Sequence, residues 1–89
     1  MTDDEIDDLV SLVADHFGLY GRLLNIETDL TNDLGADDID RREVLITIEE
    51  LFEIRFPEPE MSTLSRLGSI INVIDKVRSQ QRSERKGTR

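Results

Sequence analysis

One stretch of the sequence decides the fold: LGADDIDRREVLITIEELF, residues 34–52. A Gly-Ala turn leads into three carboxylates within four positions, a pattern typical of the start of a helix, where free N–H groups favour acidic side chains. From Ile39 to Phe52 the apolar residues recur at helical spacing and share one face: Val44, Leu45, Ile48, Leu51 and Phe52. The opposite face is charged and holds Arg42, Glu43, Glu49, Glu50 and Glu53. The stretch therefore predicts an amphipathic helix with an acidic outer surface.

A second amphipathic helix is expected before this one. Thr2 and Glu5 have the spacing of a capping box, apolar residues then recur at helical spacing as far as Phe17, and Gly18 supplies a stop. Residues 18–32 have no sustained period and are expected to form a long loop with room for a short helical turn. The apolar residues expected to pin this loop to the core are Leu19, Leu23, Leu24, Ile26 and Leu30.

A third main helix is expected near the C-terminus. Two prolines in RFPEPE, residues 55–60, end the middle helix and leave room only for a short helix between Pro57 and Thr63. Ser65 is then expected to cap a helix whose apolar residues turn inward. Those residues are Leu67, Ile70, Ile71, Ile74 and Val77.

The fold predicted from these patterns is all-α: a small bundle of three main helices, with a short fourth helix accommodated after the prolines. Its buried residues are expected to include Ile6, Val10, Val13, Val44, Ile48, Phe52, Leu67, Ile71 and Ile74. The length of 89 residues suits one small domain, placed at residues 1–78. Residues 79–89 contain no apolar side chain and are expected to form a polar, basic, disordered tail.

The charge of the chain is unevenly distributed. Residues 1–60 hold 18 Asp and Glu against 4 Lys and Arg, whereas residues 61–89 hold 7 Lys and Arg against 2 acids, for a total of −9. The negative charge of residues 1–60 disfavours binding to nucleic acid and attracts basic protein surfaces. The chain has no cysteine, and with no long apolar run or signal-type N-terminus it is expected to be a soluble, cytoplasmic monomer without membrane insertion.

The carboxylates of residues 37–40 admit three interpretations. One is ordinary capping, by Asp37 or Asp38, with Asp40 in the first turn. Another interpretation is metal binding, with oxygen ligands from Asn32, Asp33, Asp37, Asp38 and Asp40. The spacing of an EF-hand is absent, however, so no metal site is predicted. The last is catalysis, but no set of nucleophile, base and oxyanion donors is present, and the sole histidine, His16, is expected on the surface of the first helix. The chain is therefore not predicted to be an enzyme.

Residues 29–54, DLTNDLGADDIDRREVLITIEELFEI, resemble the signature of the acyl carrier protein family, D-L-G-A-D-S-L-D followed by an acidic helix. The resemblance extends over residues 2–78 and includes the long first loop, the break at the prolines and the final Ile-rich helix. It implies a carrier of fatty-acid, polyketide or related acyl metabolism. An alternative function on the same fold is an interaction or regulatory protein without acyl transport.

The sequence departs from the family at the position that carries the prosthetic group. The resemblance places a serine there, whose hydroxyl accepts 4′-phosphopantetheine from coenzyme A; this chain has Asp38. No Ser or Thr lies between Asp33 and Arg42, so shifting the alignment by one residue restores no attachment site. No cofactor is therefore expected on this sequence, whereas 4′-phosphopantetheine is expected if residue 38 were Ser.

The middle helix is the expected docking surface for partner proteins. Helical spacing places Ile46 among charged residues, away from the core, as an exposed apolar side chain. The resemblance implies that such a residue contacts carrier-dependent enzymes while neighbouring acids meet basic patches; these enzymes include acyl synthases, acyltransferases and the phosphopantetheinyl transferase. The predicted docking residues are Asp37, Ile39, Asp40, Glu43, Ile46, Glu49 and Glu50. Arg41 and Arg42 are expected to weaken this acidic face locally, or to pair with nearby acids.

Overall fold

The chain folds into a bundle of three main helices and one short helix, as the sequence predicts. A computed structural model describes the backbone of residues 1–87 and the side chains of residues 1–81. Its elements are α1 (Asp3–Phe17), a 3₁₀ turn (Gly21–Leu23), α2 (Asp38–Phe52), α3 (Glu58–Thr63) and α4 (Leu67–Gly87). Within residues 1–87 the structure contains no β-strand, and none of the helices has the length and apolar character required to cross a bilayer.

The ends of α1 form as their local sequence predicts. The Thr2 hydroxyl accepts a hydrogen bond from the backbone N–H of Glu5, and the Glu5 carboxylate accepts one from the N–H of Thr2, so both halves of the capping box are present. At the other end Gly18 adopts a left-handed conformation with φ 68°, and its N–H donates to carbonyls of the last turn. Glycine suits this position because it has no Cβ to oppose a positive φ.

The core lies where α1, α2 and α4 meet, and it contains most of the residues predicted for it. Val13, Val44, Ile48, Leu67 and Ile74 are fully buried. Ile6, Val10, Phe52 and Ile71 are only half-buried and lie at the edge of the core. Leu51 was assigned to the apolar face of α2, but this prediction is wrong: its side chain is 45% exposed and borders an open groove between α2 and α1.

The long first loop is held against the start of α4. Leu24 and Leu30 are buried as predicted, whereas Leu19, Leu23 and Ile26 are exposed and do not pin the loop to the core. The backbone instead fixes it, through a single β-bridge between Asp29 and Arg66 and a 2.8 Å hydrogen bond from the N–H of Leu30 to the carbonyl of Ser65.

The same loop also provides the cap of α4, which the sequence assigned to Ser65. The N–H groups of Leu67 and Gly68 donate to the carbonyls of Thr28 and Ile26, each at 2.9 Å. These two donors belong to the first turn of the helix and would otherwise lack partners. The prediction that Ser65 caps α4 is therefore wrong: its hydroxyl donates to Asp29 across the bundle.

Helix α4 continues beyond the domain boundary expected at residue 78. It is helical to Gly87, so the structure differs from the expected disordered tail over residues 79–87; residues 88 and 89 lie outside the described residues. Gln, Arg, Glu and Lys are good helix formers, and extending an existing helix avoids the unfavourable step of nucleation. The lack of apolar residues therefore does not end the helix.

An ion pair joins the start of α1 to α4. The Arg78 guanidinium donates to both carboxylate oxygens of Glu5, at 3.0 and 2.7 Å, and lies over the Phe52 ring, 5.4 Å from its centroid. Hydrogen bonding to Arg78, and secondly to the Thr2 N–H, lowers the pKa of Glu5 from 4.5 to about 2. The folded chain therefore binds this proton less readily than the unfolded chain between these pH values.

We expect Glu5→Gln to lose an acid-dependent part of the free energy of unfolding. Because the folded pKa lies below the unfolded pKa, the stabilisation by Glu5 is fully present above pH 4.5 and is lost as the pH falls towards 2. The urea midpoints of the variant and the wild type should thus converge over this range. Glu27→Gln removes the same charge from an exposed loop position and controls for net charge. A difference between Glu5→Gln and wild type that stays constant from pH 7 to pH 2 would contradict the assignment.

Candidate functional site

The turn before α2 is built around Gly35 and Ala36. Gly35 has φ 73°, a left-handed conformation that favours glycine, and its N–H donates to the carbonyl of Thr31. Ala36 is buried, and its N–H donates to the carbonyl of Leu30 at 2.9 Å. The turn at these two small residues therefore sets the position at which α2 begins next to the core.

Asp29 connects this turn to Ser65, two residues before α4. Its Oδ1 accepts from the N–H groups of Thr31 and Asn32 and from the Ser65 hydroxyl, the last at 2.6 Å. The Ser65 hydrogen bond, followed by the Asn32 N–H, lowers the pKa of the Asp29 carboxyl below its usual range. Asp33 contributes in turn by accepting from the Asp29 N–H at 2.8 Å. These carboxylates therefore organise the loop.

Asp37 caps α2, and Asp38 occupies the first position of the helix with an exposed side chain. The Asp37 carboxylate accepts from the N–H of Asp40 at 2.8 Å, which decides between the two capping candidates. The Asp38 side chain is fully exposed, and its nearest cation is the Arg41 guanidinium at 3.6 Å. Residue 38 therefore lies at the open start of α2, fully accessible to solvent and to a partner protein.

This corner does not fit the attachment of 4′-phosphopantetheine. Asp38 offers a carboxylate at the position where the family signature has a hydroxyl. Neither neighbouring threonine replaces it: Thr31 lies before the Gly35 turn and meets Ser65, and the hydroxyl of Thr47 donates to the Glu43 carbonyl farther along α2. Within residues 37–40 the polar side chains are all carboxylates, and none carries a hydroxyl.

Arg41 is buried and caps the C-terminus of α3. Its guanidinium donates to the carbonyls of Met61, Ser62 and Leu64, at 2.8, 3.1 and 3.1 Å. These carbonyls lie in and just after the last turn of α3, where helix geometry leaves them without partners and the macrodipole favours a cation. The prediction that Arg41 is a surface cation of the docking face is wrong. Arg42 is exposed, and its partner is Glu58 at 3.0 Å.

Four of the predicted docking residues form one exposed stripe along α2. Ile39, Glu43, Ile46 and Glu50 follow one another at intervals of four, three and four residues, and all four side chains are exposed. The two isoleucines are 70% and 42% exposed, which is high for residues of this type. We call these four residues the α2 stripe. It alternates apolar and anionic side chains facing solvent.

The remaining docking candidates serve partly structural roles. Asp37 is the helix cap, and Asp40 is half-buried. The Glu49 carboxylate is half-buried and accepts from the N–H of Phe56 at 2.7 Å, so it holds the loop after α2. Between this loop and α3 lies an open groove of about 560 Å³ with Ile46 and Glu50 on its lining. The groove borders the α2 stripe.

The aspartates considered for a metal site do not form a cluster among the described side chains. Among the side chains that the structure describes, potential ligand atoms of His16, Asp40 and Glu43 lie within 4.8 Å of one another, and Asp33, Asp37 and Asp38 are not in this group. The sequence did not predict that His16 lies close to Asp40 and Glu43, nor the role of Arg41. Each depends on contact between separate helices and leaves no periodic signal in the sequence.

Comparison with known proteins identifies the family. The chain is 33% identical over 63 residues to an acyl carrier protein of Clostridium acetobutylicum, covering 71% of this chain and 82% of that protein. It is 31% identical over 78 residues to one of Akkermansia muciniphila, covering 86% and 98%. It is 29% identical over 72 residues to one of Campylobacter jejuni subsp. doylei, covering 81% and 94%. No protein-family model matches the chain.

These alignments span most of each relative and most of this chain. The relative of Akkermansia muciniphila combines 31% identity with coverage of nearly its whole length. The chain therefore belongs to the acyl carrier protein family, whose members are non-catalytic carriers in acyl metabolism.

Proposed function

We propose that this protein docks on carrier-dependent enzymes through the α2 stripe, and that with Asp38 in place it carries no 4′-phosphopantetheine. The observation that carries the docking proposal is the pair of exposed isoleucines, Ile39 and Ile46, each next to a carboxylate on one face of α2. Apolar anchors surrounded by charge are typical of interfaces in which buried apolar contact gives affinity and the charges steer encounter. The partners that fit are monomeric or oligomeric enzymes with a basic rim around an apolar pocket. We expect the carrier itself to act as a cytoplasmic monomer.

The proposed absence of the prosthetic group follows from the chemistry of residue 38. Asp38 is exposed, so access does not limit modification; the missing element is the hydroxyl nucleophile. A carboxylate at this place also repels an incoming phosphate. The chain would then bind its partners as an unmodified carrier, occupying the docking site without delivering an acyl group.

We expect Ile46→Ala to weaken binding to a phosphopantetheinyl transferase or an acyl synthase about tenfold, since loss of an interface anchor costs about 1–2 kcal/mol. Glu50→Lys should weaken binding severalfold at low salt and less at high salt, because an exposed charge acts mainly through encounter. Isothermal titration calorimetry at two salt concentrations measures both. Glu50 is preferable to Glu49 here, since Glu49 also holds the Phe56 N–H.

Glu27→Lys makes the same charge change in the first loop, away from α2, and is the matched control. Its affinity should equal that of the wild type. Unchanged binding of both Ile46→Ala and Glu50→Lys would refute the α2 stripe as the docking surface.

One observation favours a second candidate function on the same fold. Because Asp38 removes the attachment hydroxyl, the surface of α2 is also suited to an interaction or regulatory protein that takes no part in acyl transport. The two functions differ in their partners: the first requires binding to carrier-dependent enzymes, and the second requires that proteins outside acyl metabolism bind while those enzymes do not.

A further inference from the structure

The sole histidine of the chain lies beside two carboxylates of another helix. His16 is in the last turn of α1, and Asp40 and Glu43 are three residues apart on α2. One potential ligand atom from each of the three lies within 4.8 Å of the others. Within the described residues, none of the three side chains has a hydrogen-bond or ion-pair partner at ordinary bonding distance. Three metal-binding groups thus converge from two helices without being engaged by the protein.

We propose that His16, Asp40 and Glu43 form a site for a divalent transition-metal ion, and that Zn²⁺ is the ion whose preferred ligands fit it best. Zinc takes imidazole nitrogen and carboxylate oxygen together, usually in four-coordinate geometry, so three protein ligands leave one position for water. Imidazole favours zinc, copper and nickel, whereas magnesium and calcium prefer oxygen ligands alone. The histidine therefore separates this site from an ordinary cluster of surface acids. The proposal does not depend on the docking function.

The spacing of the three groups suits such an ion after small side-chain movements. The centre of a triangle with 4.8 Å sides lies about 2.8 Å from each corner, compared with about 2.0–2.2 Å for zinc bonds to nitrogen and oxygen. His16 and Glu43 are exposed and free to rotate towards the centre, and Asp40 is half-buried. The His16 ring packs edge-on against Phe17, with centroids 4.9 Å apart.

Local charge also favours a cation at this place. Asp40 and Glu43 repel each other at this distance. The neighbouring cations are engaged elsewhere: Arg41 donates to the carbonyls at the end of α3, and Arg42 pairs with Glu58. A divalent ion would relieve the repulsion and join α1 to α2.

The test is a titration of the full 89-residue chain with Zn²⁺, followed by calorimetry and by NMR of the imidazole. Because His16 is the only histidine, its ring resonances report the site without assignment ambiguity. We expect one Zn²⁺ per chain, ring shifts that saturate together with the heat, and a higher Tm with zinc. His16→Gln and Glu43→Gln should each weaken binding at least about tenfold. Mg²⁺ should leave the ring resonances unchanged.

Glu50→Gln removes an exposed glutamate from the same helix and is the matched control, with binding equal to that of the wild type. Ring resonances that do not move at saturating Zn²⁺, or equal affinity in His16→Gln and wild type, would overturn the proposal and indicate only general attraction of cations to the acidic surface. All substituted side chains are exposed, and circular dichroism checks that each variant remains folded.

Discussion

Asp38→Ser is expected to convert the protein into a substrate for 4′-phosphopantetheine attachment. The substitution supplies the one group that the corner lacks, a hydroxyl at the exposed first position of α2. The surrounding features of the family signature remain: the Gly35 turn, the Asp37 cap and Asp40 in the first turn. Incubation with coenzyme A, magnesium and a broad-specificity phosphopantetheinyl transferase should add one prosthetic group per chain, measured by intact-protein mass spectrometry.

The unsubstituted chain and Asp38→Ala are the controls for this experiment, and both should show no mass increase. Modification of the unsubstituted chain would overturn our interpretation of Asp38. If Asp38→Ser also stayed unmodified, the corner would have lost more than its nucleophile. The interaction function without acyl transport would then be favoured, with Arg41 and Arg42 as the residues to examine next.

Arg41→Met is expected to lower the free energy of unfolding by about 2–4 kcal/mol, since three carbonyls at the end of α3 lose a charged donor and two of these hydrogen bonds are buried. Methionine retains an unbranched apolar stem of similar reach, so the change mainly removes the guanidinium. Such a loss is a large part of the stability of a small domain, about 5–15 kcal/mol in total. Urea unfolding followed by circular dichroism measures the effect.

The neighbouring Arg42→Met provides a matched control because it removes the same side chain one residue later. Arg42 is exposed and pairs with Glu58 at the surface, so its loss should cost no more than about 1 kcal/mol. Equal and small effects of the two substitutions would show that the Arg41 guanidinium does not hold α3 in place. An unchanged m-value in both variants would show that the surface exposed on unfolding is the same, so that the midpoints compare stability directly.

Much of the candidate site follows from local sequence signals. The exposure of Ile46 follows from helical spacing, and the missing hydroxyl at Asp38 is visible in the sequence itself. The sequence did not decide which of the two adjacent aspartates caps α2, because aspartate is favoured as an N-cap at either position. Only the backbone geometry assigns the cap to Asp37. The carboxylate of Glu49 was likewise expected on the docking surface, and a backbone N–H seven residues later engages it.

The sequence by itself determined the helices, the cap and stop of α1, the acidic face of α2 and the loss of the attachment serine. These features depend on groups within one or two turns of each other, where spacing and side-chain type are sufficient. Only the tertiary structure decided that Arg41 is buried against α3, that the first loop rather than Ser65 caps α4, and that His16 meets Asp40 and Glu43. Each of these contacts joins residues 20 or more positions apart, and their meeting depends on how the helices cross, which no local period encodes.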